Sequence, residues 1–288
     1  MKNKTVYFEG WYFKHQINEN IISFIPGTNI DIEGKKTAFI QVITDTASYN
    51  INYPYNTFKA VKCPLSIKVG DSRFTDKGAY IDIKDKDLTC KGNIEYGKLT
   101  PIKYNIMGPF SFIPFMECNH GIISLFHTLF GNLSINSKAI DFKNGIGYIE
   151  NDYGSSFPKS YLWIQCNNFI GEKCSVTASI ANIPFIGFEF KGCICIVLYK
   201  ETEYRLATYN GVKIIRSDKT GIILKQGKLK LVIDISQNNG YKLLAPQKGS
   251  MSRTIHESIA CKANFKFYIN DILLFNHASD YASFEYMC

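Results

Sequence analysis

Strand-like segments follow one another along this chain almost without relief, and that constrains its fold more than any other feature. Thr5–His15, Ile21–Ile25, Thr37–Thr44, Ala79–Lys84, Gly147–Tyr153, Tyr161–Phe169, Ser175–Ile183, Ile194–Tyr199 and Leu229–Ile235 are rich in Ile, Val, Thr, Tyr and Phe. Clusters of Gly, Asn, Asp or Pro separate them. The pattern predicts an all-β protein. Asn144-Gly145, Asn210-Gly211 and Asn239-Gly240 supply residues that tolerate the left-handed turns of tight hairpins, so antiparallel neighbours are expected there. His120–Leu133 fits helix and strand periodicity alike and is read as a strand. So many strands need their edges managed, and closure into barrels does this while leaving an interior for a ligand.

With 288 residues the chain is long for one small core, which predicts two β-barrel domains. The polar stretch Asn136–Lys138 ahead of a fresh series of strands places the boundary between 1–135 and 136–288. A pair of β-sandwiches is the alternative.

The net charge of +8 raises the question of nucleic acid or an anionic surface. Its distribution argues against nucleic acid: Arg73, Arg205, Arg216 and Arg253 are the only arginines, none adjacent, and the lysines are scattered. The start of the chain lacks the uninterrupted apolar core of an export signal, since Glu9, Lys14 and His15 break it up, and the longest strongly apolar run, Cys193–Tyr199, is too short for a membrane-spanning helix. A cytoplasmic location is expected. Nine cysteines form an odd set without a close CxxC pair, which predicts reduced thiols and no disulfide framework.

Gly92–Leu99 has the spacing of a nucleotide loop, but Leu99 stands where a magnesium-binding hydroxyl is required. Glu117, Cys118, His120 and His127 are metal-binding types, yet on a strand His120 and His127 face opposite ways, so no metal site is expected. Three one-sided sets stand out instead: Tyr7, Glu9, Trp11, Phe13 and His15; Tyr148, Glu150 and Asp152; and Tyr161, Trp163, Gln165 and Asn167. Each mixes aromatics with a few polar groups, which suits either the outside of a sheet or the lining of a small-molecule pocket.

Phe8-Glu-Gly-Trp-Tyr-Phe13, Met116-Glu-Cys-Asn-His-Gly121, Glu150-Asn-Asp-Tyr-Gly154, Ser156-Phe-Pro-Lys-Ser-Tyr-Leu-Trp-Ile-Gln-Cys-Asn167 and Ala282-Ser-Phe-Glu285 resemble the tocopherol cyclase family in content and order. The resemblance implies two lipocalin-like barrels and, by relation to carotenoid hydratases and cyclising enzymes, acid-catalysed closure, hydration or isomerisation of a prenylated hydroquinone or other isoprenoid. It implies no organic cofactor. Such chemistry needs a proton donor, aromatic faces for a cation and exclusion of water. The candidates for the acid are Glu150, Asp152 and Glu9. Trp11, Tyr148, Tyr161, Trp163, Gln165, Asn167, Glu117 and His120 are the candidate substrate contacts. The sequence has Asp152-Tyr153-Gly154 where plant members tend to have Trp-Gly, so the substrate need not be a tocopherol precursor. A non-catalytic carrier of an apolar small molecule is the alternative function. The partner expected is an apolar ligand and not nucleic acid, with peripheral membrane contact as a looser expectation.

Overall fold

The computed structural model describes residues 6–113, 116–169, 171–185 and 188–288, the side chains of Phe185 and Phe188 excepted. Thr5, the expected start of the first strand, lies outside the described residues. Alternating or continuously apolar segments pair into two antiparallel sheets, as the sequence pattern predicts.

Among the described residues the first sheet holds β1 (Tyr7–Ile17), β2 (Asn20–Ile30), β3 (Lys36–Thr44), β4 (Ser48–Pro54), β5 (Lys59–Lys62), β6 (Leu65–Val69), β7 (Ser72–Thr75), β8 (Gly78–Lys84), β9 (Thr89–Tyr96), β10 (Cys118–Ile135), β11 (Lys138–Asp141) and β12 (Gly145–Gly154). Their order is 4-3-2-1-12-10-9-8-7-6-5, with β11 beside β10. The second sheet holds β13 (Tyr161–Cys166), β14 (Cys174–Phe185), β15 (Phe188–Tyr199), β16 (Thr202–Ala207), β17 (Lys213–Asp218), β18 (Gly221–Gln226), β19 (Leu229–Gln237), β20 (Tyr241–Gln247), β21 (Ser250–Ile269) and β22 (Ile272–Met287). Their order is 16-15-14-13-22-21-19-18-17, with β20 beside β21.

The chain is all-β with two lipocalin-like units, but the barrels are not closed by hydrogen bonds. The first path ends at β4 and β5 and the second at β16 and β17, with no ladder joining either pair of ends among the described residues. His120–Leu133 is strand throughout, within β10. Gly92 lies inside β9 rather than opening a helix, so the nucleotide-loop spacing is coincidental.

The division of the chain differs from the expected 135/136 boundary. One compact unit comprises residues 1–101, 116–157 and 243–254, and the other 102–115, 158–242 and 255–288. Asn136 and Ser137 are not a linker but the two left-handed residues (φ 47° and 70°) of the tight turn from β10 to β11. The polar composition that suggests a domain junction is the composition of such a turn. The three Asn-Gly pairs also bend the chain without joining hydrogen-bonded neighbours: β11 and β12 both pair with β10, β16 and β17 lie at opposite ends of their sheet, and β19 and β20 both pair with β21. Asn144 (φ 64°) and Gly211 (φ 77°) do adopt the left-handed conformation, but turn chemistry does not specify which strands pair.

The first unit's core gathers Trp11, Phe13, Ile22, Phe24, Ile40, Phe74, Ile94, Leu129 and Ile149, all buried. The second gathers Leu162, Ile164, Cys166, Cys193, Cys195, Phe265, Phe267 and Phe284. Cys193 and Cys195 thus serve as packing, and none of the nine cysteines is disulfide-bonded. No described helix is long and apolar enough to cross a membrane.

Candidate functional site

Strands β1 and β12 run side by side at the middle of the first sheet, and both faces of the pair are buried. Alternation therefore gives each strand two different jobs. Trp11, Phe13 and His15 stand opposite Asn151, Ile149 and Gly147, and they point into the core. Tyr12 and Lys14 stand opposite Glu150 and Tyr148, so Tyr148, Glu150 and Asp152 occupy the other face.

Strand β10 completes that second face. His120 is the register partner of Asp152, and Ile122 of Glu150. Two bulges follow, between Ile122 and Ser124 and between Ser124 and His127, and they re-aim the rest of the strand. Ser124 turns to the core side, where its hydroxyl lies 3.0 Å from His127 Nδ1. The His127 ring occupies the place where a Cβ on Gly147 would fall, so this position admits only glycine without rearrangement. The left-handed Gly154 (φ 157°) has the same restriction, because a Cβ there would overlap the Glu117 carbonyl, which receives the N–H groups of Ser155 and Ser156.

The outcome is a compact charged cluster. His120 donates from Nδ1 to Asp152 Oδ1 at 2.6 Å, and its Nε2 lies 3.6 Å from Glu150 Oε2. Tyr148 donates its hydroxyl to that same Glu150 oxygen at 2.6 Å. Burial would lower the His120 pKa, but the Asp152 and Glu150 carboxylates and the Asp152 hydrogen bond overcome it and hold the imidazole at about 9. His120 is therefore an imidazolium at neutral pH, clamped between two carboxylates. Of the two, Asp152 is the more open, with its side chain 20 % exposed against 5 % for Glu150. Lys14, fully buried and opposite Tyr148, stands on the same face. Burial and the charges of Asp152, Glu150 and Glu117 push the Cys118 thiol far above its ordinary range, which keeps it a neutral thiol.

The three donor atoms of His120, Glu150 and Asp152 lie within 4.8 Å of one another, and among the described residues this is the group that could hold a metal ion. They differ from the set the sequence brings to mind. His127 is on the opposite face, where burial lowers its pKa to about 3, and Glu117 is exposed.

Glu9 is separate too. It shares the Trp11 face, accepts the Tyr7 hydroxyl at 2.8 Å and pairs with Lys62 at 2.9 Å. Trp11 belongs to the packed core and not to the Glu150 face. Tyr161, Trp163, Gln165 and Asn167 lie in the second unit. There Leu162, Ile164 and Cys166 form the core side of β13, and the other side carries Tyr161, Trp163 and Gln165. Tyr161 donates to Glu285 Oε2 at 2.5 Å, and Glu285 stands directly opposite both Trp163 and Glu257. This second buried polar face includes Glu257, which nothing local in the sequence singles out. An open cleft of about 400 Å³ elsewhere in the first unit is lined by Tyr53, Lys68, Asp71, Asp82 and Lys84, a charged surface unlike an apolar ligand site.

Residues 77–286 match the family described as tocopherol cyclase-like. The chain belongs to that family. The match spans both units and includes His120, Glu150 and Asp152. No curated protein sequence matches the chain. Solved structures share its fold at low identity. Kievitone hydratase from Nectria haematococca is 12 % identical, with 98 % of this chain and 89 % of that one covered at a TM-score of 0.54. An AttH-like protein from Nitrosomonas europaea is 10 % identical, with coverage of 99 % and 93 % and a TM-score of 0.52. CghA, solved with Sch210972, is 8 % identical, with coverage of 98 % and 88 % and a TM-score of 0.56.

Proposed function

We propose that this tocopherol cyclase-like protein is an acid catalyst that needs no organic cofactor, protonating an alkene of a prenylated hydroquinone or related isoprenoid and directing capture of the resulting cation by an oxygen. The observation that carries the reading is the His120 imidazolium held between Asp152 and Glu150. The cluster stores a proton beside two carboxylates. When an apolar substrate displaces water, the ion pair loses solvation, and the neutral imidazole with a neutral carboxylic acid becomes the favoured partition. Asp152, the more open carboxyl, then donates to the alkene carbon.

The tertiary cation forms next to Glu150 and the newly ionised Asp152, whose negative charges stabilise it more strongly than they stabilise the neutral alkene. Attack by the substrate's phenolic oxygen closes a ring, and attack by water gives a hydrated product. Either step releases one proton, which returns to the cluster, so the cycle is neutral overall. Tyr148 holds Glu150 in place through its hydroxyl. Family membership supports the reaction class, and one protein of the same fold is a hydratase by name.

The test is turnover of a prenylated hydroquinone in heavy water by the native protein and the Asp152→Asn and His120→Gln variants. Both variants should lose about 100-fold or more in turnover while still binding the substrate. Deuterium incorporation at the native rate in both would refute the reading. Tight binding without turnover by the native protein, across cyclisable and hydratable isoprenoids, would make the protein a carrier.

A further inference from the structure

The hydrogen-bonded path of the first sheet ends at β4 and β5, and no ladder joins β4 to the β5–β8 meander among the described residues. The open cleft of about 400 Å³ lies at that seam. One wall is the end of β4 and the turn after it, which bring Tyr53 and Thr57. The other is the meander, with Lys68 from β6, Gly70 and Asp71 from the β6–β7 turn, and Asp82 and Lys84 from β8. Both walls are fixed. The Tyr53 ring packs on the core and against Gly70, where the left-handed backbone (φ 58°) and the close approach both call for glycine: a Cβ there would fall 2.5 Å from the ring. The Asp82 N–H donates to the buried Ser72 hydroxyl at 3.0 Å, which pins the second wall.

The charges in this cleft are not matched to one another. Side chains of opposite sign that can reach each other close into ion pairs, yet Lys68, Lys84 and Asp71 form none, and Asp82 pairs with Lys91 at 3.2 Å, outside the lining. Among the described residues the Tyr53 hydroxyl also lacks a hydrogen-bond partner in the protein. Burial, and after it the charges of Asp85, Asp71 and Asp82, pushes its pKa up to about 12, so it stays an un-ionised phenol in a negative surrounding.

Two ammonium groups and two carboxylates around one cleft decide the chemistry of its occupant. A simple anion would meet Asp71 and Asp82 as well as the lysines, a simple cation suffers the reverse mismatch, and a neutral sugar leaves the charges without counterions. An ion that carries both signs satisfies both sets. We propose that this cleft binds a small zwitterion with one primary ammonium and one phosphate or carboxylate group, the ammonium held by Asp71, Asp82 and the Tyr53 oxygen and the anion by Lys68 and Lys84. A primary ammonium fits better than a quaternary one because the carboxylates and the phenol oxygen accept hydrogen bonds from N–H groups. The cleft is of the size that holds small molecules. None of its residues belongs to the His120 cluster, and the binding does not depend on the proposed reaction.

The test is a titration of nitrogen-labelled full-length protein with phosphoethanolamine at low salt, followed by NMR through the backbone N–H signals of Gly70, Asp71 and Lys84. The native protein should shift these signals with a dissociation constant of about 1 mM or tighter, and ethanolamine and inorganic phosphate, which each carry one of the two charges, should bind about tenfold more weakly. Asp71→Asn and Lys84→Gln should each weaken phosphoethanolamine binding about tenfold with an unchanged circular dichroism spectrum, because both side chains are exposed and outside the core. Lys225→Gln, an exposed lysine of the second unit, should bind as native. No shift of the native signals at roughly 10 mM phosphoethanolamine would overturn the proposal. So would inorganic phosphate binding as tightly as phosphoethanolamine, which would make the lysines a plain anion site, or native-like binding by both cleft variants. Glycine, titrated in parallel, distinguishes a carboxylate from a phosphate as the preferred anion.

Discussion

Replacing Asp152 by Asn should release the proton stored on His120. Burial draws the imidazole pKa down, yet the two carboxylates and the 2.6 Å hydrogen bond raise it from 6.5 to about 9. At 1.36 kcal/mol per pKa unit, the net preference for the charged form is about 3 kcal/mol. Asparagine keeps a polar oxygen near Nδ1 but removes the charge, leaving Glu150 at 3.6 Å as the single anion of the cluster against the desolvation. His120 should then titrate at or below its ordinary 6.5. The assay is a proton–carbon NMR titration of histidine-labelled protein, in which the five histidines are few enough to follow and His120→Gln assigns the signal. A second readout follows from linkage. A pKa raised in the folded state stabilises fully below 6.5, and that contribution disappears as pH rises through about 9. Native protein should lose about 3 kcal/mol across that interval in denaturant unfolding, and Asp152→Asn should not. A His120 signal that titrates at the same pH in both proteins would refute the reasoning.

The core histidines predict the opposite slope on the acid side. Burial lowers His15 and His127 to about 3, so the stability that their neutral forms provide is present above 6.5 and is lost as pH falls towards 3; His15→Phe should flatten the acid limb of a thermal-unfolding profile by roughly 5 kcal/mol at most. Gly147→Ala should destabilise by about 2 kcal/mol in denaturant unfolding, because its methyl group would overlap the His127 ring inside a packed core, and an unchanged midpoint would show that the ring can move.

The fold class was legible because β-branched and aromatic residues in short runs leave few alternatives, and the face of each strand followed from parity. Tyr148, Glu150 and Asp152 do share a side, as do Tyr161, Trp163 and Gln165. What parity could not supply was the partner across the ladder. His120 reaches Asp152 through a pairing of residues 32 apart, and Lys62 reaches Glu9 across the first unit. Glu9 and Trp11 share a parity, but they stand on the opposite face of the sheet from Glu150, and Trp11 packs in the core while Glu9 pairs with Lys62. The turn at Asn136 and Ser137 resembled a boundary because tight hairpins and linkers use the same residues. Bulges in β10 left no compositional mark, although they decide where Ser124 and His127 point.

The burial of both faces of β1 and β12 limits how this protein can change. On a strand with one wet face, every other position can drift, but here neighbouring residues answer to different demands: Phe13 to the core, and Tyr12 and Lys14 to the charged face. Removing one residue from β12 upstream of Glu150 would trade those roles along its whole length, placing Glu150 and Asp152 among hydrocarbon and Ile149 in the acid cluster. Variation in substrate must therefore enter from elsewhere, through the bulged stretch of β10 and the strand ends, where an insertion is absorbed locally without inverting the sheet.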